Sequence, residues 1–484
     1  VHAHTRLALV AAQGVGPVSG AGRPLTVIRC SLRAASRASV GTSVGRVSVG
    51  RPYFYAEVIG LYRRSCPLTE CVSEGERKLP MIKLSGAPSG RHFLQIPGPT
   101  NVPDRILRAI DHPTIDHRGP EFGALGRKVL AGLQTIFKTS SHVVIYPASG
   151  TGAWEAALVN TLSPGDRVLM FETGHFATLW RRIAERLGLA VDFVPGDWRR
   201  GVDPAEVEAR LVADAGHAIR AVMVVHNETS TGARTRVDEV RAAIDRARHP
   251  TLLMVDTISG LGSIDLRHDE WGIDVTVGGS QKGLMLPPGL SFNAISAKAL
   301  AAARTARLPR AFWNWEEMIA ANANGYFPYT PATNLLYGLA EAIDMLHEEG
   351  LDAVFRRHDR HAEATRRAVR AWGLEVLCAE PRDHSSALTA VMMPDGHDAD
   401  RFRKLVLSTF DMSLGQGLSK LAGRVFRIGH LGSFNDLMLM GTLAGIEMGL
   451  HLAGVPMRKG GAQAAMDHLA ACAAQPEQSA RAAR

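Results

Sequence analysis

The 484-residue chain has only five cysteines, Cys30, Cys66, Cys71, Cys378 and Cys472. None stands at the C-x-x-C spacing of a zinc site, and together they make no disulfide framework. A reducing compartment, and so a cytoplasmic protein without a bound metal, is the natural expectation. No run of 18 apolar residues occurs, which excludes a simple transmembrane helix. Acidic residues are missing from residues 1–50, and no Met precedes Met81.

That last shortage explains the net charge of +8. Residues 1–80 carry 11 basic and 4 acidic residues, leaving 44 and 43 for the rest. The body is nearly neutral, so no basic face for nucleic acid is implied. Three readings fit residues 1–80: a transit peptide that would make the protein organellar, a basic interaction arm, or an over-extended reading frame with translation starting at or near Met81. We favour the last, with a disordered tail as the fallback.

The body is regular. Strand-like runs at His142–Tyr146, Val168–Phe171, Val191–Val194, Ala221–His226, Thr251–Asp256 and Ile273–Gly278 alternate with helical segments at Ala153–Leu162, Leu179–Leu187, Pro204–Ala213 and Val237–Ala247. The pattern predicts an α/β fold with a mostly parallel sheet covered by helices on both faces. The strands read as continuous apolar runs, as burial on both faces requires. Leu335, Leu336, Leu339, Ile343 and Leu346 recur at helical spacing. A helix over Val354–Trp372 and strands at Ala387–Met393 and Arg424–Ile428 then suggest a smaller α+β unit. The expected division is a large domain over 81–348, a small C-terminal domain over 349–470 and a tail over 471–484.

Three features converge on one chemistry. Ser149-Gly150-Thr151-Gly152 lies between a strand and a helix, where backbone N–H groups and the helix dipole can hold a phosphate. Taken alone it is more simply a helix cap. The strand Thr251–Asp256 ends in an acid, at the strand end where open parallel sheets bind ligands. Such an Asp can pair with a protonated pyridine nitrogen, or merely cap a turn. Lys282 follows a strand and is flanked by glycines at Gly278, Gly279 and Gly283. A desolvated Lys there could form an imine with an aldehyde; a solvated loop lysine is the plainer alternative.

This order of motifs resembles the class V, fold-type I aminotransferases that use pyridoxal 5'-phosphate (PLP). Pro97-Gly98-Pro99-Thr100-Asn101-Val102-Pro103, Ala148–Glu155, His226-Asn227-Glu228-Thr229, Asp269-Glu270-Trp271-Gly272, Gly279-Ser280-Gln281-Lys282-Gly283, Tyr329-Thr330-Pro331 and Val425–Gly432 are similar, more narrowly, to the serine–glyoxylate aminotransferase family over roughly residues 90–470. The resemblance implies that Lys282 carries the cofactor as a Schiff base and that Asp256 pairs with the pyridine nitrogen. It implies that Ser149, Gly150, Thr151 and Gln281 bind the phosphate, that Thr229 lies near O3′ and that Phe176 stacks on the ring. Thr330 would reach the phosphate of a neighbouring subunit, which implies a homodimer or homotetramer. Arg427 would clamp the substrate carboxylate as a guanidinium fork, although a buried Arg in an apolar strand could instead form a structural ion pair.

Two positions depart from relatives. Phe327 stands where alanine–glyoxylate enzymes carry Tyr, and His117 stands where many relatives carry Tyr. The implied reaction moves the amino group of L-serine, or of alanine or asparagine, to glyoxylate, giving hydroxypyruvate and glycine. The alternatives are an alanine–glyoxylate enzyme, a cysteine desulfurase using Cys378 or Cys472, and a non-catalytic binding protein with a basic arm. Neither nucleic acid nor a membrane is expected as a partner.

Overall fold

The computed structural model describes residues 90–474. The readings made for residues 1–80, and for the tail beyond residue 474, lie outside the described residues. Two sheets organise the described chain. The larger has seven strands in the order His142–Tyr146, Ser291–Ile295, Val275–Gly279, Leu252–Asp256, Ile219–Val225, Arg167–Phe171 and Ala190–Val194. Only Ser291–Ile295 runs against the others. It was not among the expected strands, because Ser291 and Asn293 interrupt its apolar pattern. Asn293 accepts a hydrogen bond from the Tyr146 hydroxyl at 2.8 Å, which removes the penalty of burying the amide.

The apolar runs have a direct physical reason. Along Leu252–Asp256, Leu253 and Val255 join one hydrophobic cluster, while Leu252 and Met254 join a second. Val222 and Val224 alternate with Ala221 and Met223 in the same way. These two strands are thus apolar on both faces, and each buried Leu, Val or Met is worth about 1.5–3 kcal/mol. One cluster packs under the helices Pro120–Phe137 and Thr333–Glu349, the other under Gly150–Thr161.

The smaller sheet has the order Phe93–Gln95, Met412–Gln416, Val425–Gly429, Leu388–Met392 and Glu375–Val376. The strands expected at 387–393 and 424–428 lie here, within a residue or two. Phe93–Gln95, from the other end of the described chain, pairs in parallel with Met412–Leu414. Val391, Phe426, Ile428 and Leu414 pack with Trp372, Phe402 and Leu443 in a third cluster. The long helices Thr333–Glu349 and Leu351–Trp372 meet at Gly350. Among the described residues no helix is long and apolar enough to cross a membrane.

The six codirectional strands of the large sheet bring their carboxyl ends to one edge. That edge carries Ser149, Glu228 and Lys282, each following a strand of the sheet, and Asp256, which ends one.

Candidate active site

Lys282 follows the strand Val275–Gly279 and is buried. Burial, and then the nearby Arg427 charge, lower its amine from the ordinary 10.5 to about 7, against an opposing pull from Asp256. The Nζ donates to the Pro97 carbonyl. Thr100 fastens the same segment, its N–H donating to the Gln281 carbonyl and its hydroxyl to the Lys282 carbonyl, each at 3.1 Å. Gly98 leaves room for the lysine: a Cβ there would fall 2.4–2.7 Å from three atoms of the Lys282 side chain.

Asp256 ends its strand fully enclosed. Burial raises its carboxyl from 3.8 to about 7, with Glu228 pushing the same way; the Ile258 N–H, which donates to Oδ1 at 2.7 Å, and the Lys282 charge pull it down. The indole N–H of Trp154 lies close enough to lower Asp256 as well, yet closes no hydrogen bond. This carboxyl is ready for a cationic partner, which would restore its ionised form.

Arg427 sits in the small-sheet strand Val425–Gly429. Its Nε donates to the Gln416 carbonyl and its Nη1 to the Thr229 carbonyl, both at 2.7 Å. No carboxylate lies within salt-bridge distance among the described residues, so the structural ion pair considered above is not what holds it. Lys282 and Arg427 are the two buried Lys or Arg side chains of the described chain. Burial lowers Arg427 to about 10, opposed by the Glu228 charge. Two buried basic side chains, neither with a carboxylate within salt-bridge distance among the described residues, suit a small organic acid.

At the opposite side, Ser149 starts the helix Gly150–Thr161 without spending its hydroxyl on a cap. The helix begins three residues earlier than expected, which places Gly150, Thr151 and Gly152 in its first turn. Gly150 is pressed against Ile258, next to Asp256: a Cβ there would lie 2.2 Å from Ile258 Cδ1. Gln281 Oε1 is buried without a partner. An exposed Ser and Thr, a helix N-terminus and an unmatched amide suit a phosphate.

The remaining candidates are placed as follows. Phe176 lies in the first turn of the helix His175–Arg186, its ring 6.5 Å from that of Trp154. Thr229 is buried and donates to Ser259 Oγ at 2.8 Å. Thr330 is exposed just before the helix Thr333–Glu349, with no described hydrogen bond to the Lys282 group. A hollow of about 480 Å3 lined by Glu172, Asp197, Trp198, Asp203 and Glu206 contains none of these residues.

The Aminotransferase class-V family matches residues 92–425, most of the chain. The chain belongs to the class V aminotransferases. It is 47% identical over 382 residues to a serine–glyoxylate aminotransferase of Methylorubrum extorquens, covering 78% of this chain and 95% of that one. It is 46% identical over 375 residues to an L-aspartate–glyoxylate aminotransferase of Paracoccus denitrificans, covering 77% and 95%. Among solved structures, the pyridoxamine–pyruvate aminotransferase of Mesorhizobium loti superposes with a TM-score of 0.75 at 28% identity, over 80% of this chain and 99% of that one. The class V aminotransferase is therefore an enzyme of the fold-type I architecture, and its substrates are amino acids and 2-oxo acids.

Two features of this aminotransferase escaped sequence reasoning. Pro97, whose carbonyl receives the Lys282 amine, lies in a motif noted only as a resemblance. Glu228 is fully buried and accepts four hydrogen bonds. An acid directly after an apolar strand, followed by Thr229-Ser230-Thr231, was the available signal. Cys378 also has a definite place: it is buried, and burial pushes its thiol up to about 12. A thiol so far from thiolate makes a poor sulfur acceptor.

Proposed function

We propose that this class V aminotransferase carries the amino group of L-serine to glyoxylate with pyridoxal 5'-phosphate, as a homodimer or larger homo-oligomer. The observation that carries the reading is the pair of buried basic side chains: Lys282, whose amine burial brings to about 7, and Arg427, which has no carboxylate within salt-bridge distance among the described residues.

The cofactor, when bound, supplies an aldehyde for the amino group and a ring that accepts the electron pair released as the Cα–H bond breaks. The residues present fit it. Lys282 offers an uncharged amine, Asp256 a carboxylate for the ring nitrogen, Ser149, Gly150, Thr151 and Gln281 a phosphate cradle, Thr229 a hydroxyl and Phe176 a ring face. Thr330 serves the phosphate of the neighbouring subunit. With a pKa of about 7, Lys282 Nζ takes the substrate α-proton and returns it, the balance that general acid–base work needs. Arg427 holds the substrate carboxylate and so fixes which bond at Cα faces Lys282. In domain terms, we place the division between the large and small units at Gly350, and we place the protein in the cytoplasm, where Cys378 and Cys472 stay free thiols.

Similarity to an aspartate–glyoxylate enzyme makes L-aspartate the second donor to weigh. A side-chain carboxylate would need a further cation beside Lys282 and Arg427. Serine needs only a hydrogen-bond partner. The test is a panel of L-serine, L-aspartate and L-alanine with glyoxylate, run on wild type and Lys282→Ala. Serine should have the highest kcat/KM, and Lys282→Ala should lose turnover by several orders of magnitude. A faster reaction with aspartate would reassign the donor. Unimpaired turnover in Lys282→Ala would sink the proposal.

A further inference from the structure

Glu228 is buried at the end of the two-residue strand Asn227–Glu228, just after the strand Ile219–Val225. Its Oε1 receives the Ser230 hydroxyl at 2.6 Å, the Ser230 N–H at 3.0 Å and the Phe176 N–H at 3.3 Å, and its Oε2 receives the Ala177 N–H at 3.1 Å. Ser230 Oγ in turn accepts the His175 N–H at 2.9 Å. The first N–H groups of the helix His175–Arg186 thus end on one carboxylate and its neighbouring hydroxyl. Gly174 makes that approach possible: a Cβ there would lie 2.4 Å from Glu228 Cγ and 2.5 Å from both Cδ and Ser230 Oγ. The next residue, Thr229, holds Arg427 through its carbonyl. A three-residue turn therefore touches both the helix that carries Phe176 and the guanidinium proposed to bind substrate.

We infer that Glu228 is a positioning residue that ties Phe176 and Arg427 to one turn, so that ring stacking on the cofactor and grip on the substrate carboxylate depend on a single buried acid. Charge adds to the geometry. Glu228 is an acid near Arg427 that forms no direct bond with it, and it favours the charged guanidinium. Its own carboxyl is raised by burial, with the Ser230, Ala177 and Phe176 donors opposing. Replacing the acid by a neutral group would both loosen the helix start and leave the buried Arg427 less compensated.

The inference rests on the PLP-dependent reading, and the measurements separate the two. Cofactor dissociation constants are determined by reconstituting cofactor-free enzyme with pyridoxal 5'-phosphate. KM and kcat are measured for donor and acceptor, and melting temperatures are recorded alongside. Glu228→Ala should raise both the cofactor dissociation constant and the donor KM at least tenfold. Glu228→Gln keeps one acceptor oxygen and should fall between. Gly174→Ala displaces the same carboxylate without changing its charge, and it keeps the test open if Glu228→Ala does not fold. In a Phe176→Ala background, Glu228→Ala should add little to the loss of cofactor affinity, since contacts sharing one element do not add. Asp398→Ala removes a remote helix cap of similar construction; it should lower the melting temperature and leave binding unchanged. The inference is overturned if Glu228→Ala or Gly174→Ala lowers the melting temperature alone, or if the Glu228 and Phe176 effects on cofactor affinity simply add. Wild-type protein that fails to bind the cofactor would refute the functional reading instead.

Discussion

Asp256 should make the cofactor-free enzyme less stable than it could be. Its carboxyl titrates at about 7 in the folded chain instead of 3.8, mainly because it is buried. Each unit of such a shift corresponds to about 1.4 kcal/mol. The folded state therefore keeps a proton that the unfolded chain has already released between pH 3.8 and pH 7. Stability attributable to this group falls as pH rises through that window, and the full difference is roughly 4 kcal/mol above pH 7. At pH 5 it is only about 2 kcal/mol. Asp256→Asn keeps an oxygen for the Ile258 N–H and removes the charge. Denaturant unfolding of cofactor-free protein at pH 5 and pH 8 should show the variant more stable at both, with the gain about twice as large at pH 8. The same substitution should lower turnover at least a hundredfold, because a neutral amide cannot hold the ring nitrogen positive. A variant no more stable than wild type at pH 8, or a gain that does not change with pH, would refute the burial argument.

Other perturbations follow from contacts already described. Gly98→Ala places a Cβ within 2.7 Å of Lys282 atoms at a backbone φ of +104°, so cofactor content, read by absorbance, should collapse while the far-ultraviolet circular dichroism stays near wild type. Arg427→Lys replaces a two-pronged donor by a point charge; KM for donor and acceptor should rise about ten- to a hundredfold, with kcat falling less. Cys378→Ser should leave transamination within about twofold of wild type, and cysteine should yield no sulfur transfer in either protein, checked by sulfide release.

Much of the site was legible because chemistry and strand ends coincide. The runs ending at Tyr146 and Asp256 are apolar on both faces, so their ends show, and the run expected to end at Gly278 ends one residue later, at Gly279; the polar residues just beyond are the ones the sheet edge gathers. Ser291–Ile295 was hidden because its Ser and Asn are satisfied across the sheet instead of by solvent. Phe93–Gln95 was hidden because three residues carry too little pattern, and its partner lies at the far end of the chain. Glu228 stood in a motif of the resemblance with no role assigned to it. Its importance depends on where the helix His175–Arg186 begins, and the apolar periodicity from Leu179 missed that start by four residues. The exposed position of Thr330 is likewise invisible to any argument from pattern.

The parallel pairing of Phe93–Gln95 with Met412–Leu414 has a consequence for biosynthesis. The segment leading from that short strand supplies the Pro97 carbonyl that receives the Lys282 amine. A ribosome exposes it early, yet its neighbour emerges 319 residues later. Distant pairings of this kind form slowly, because a long loop must close first. Lys282 thus gains its final surroundings only after Met412–Leu414 has emerged, and a polypeptide that stops before it cannot complete the pairing from which the Pro97 segment leads.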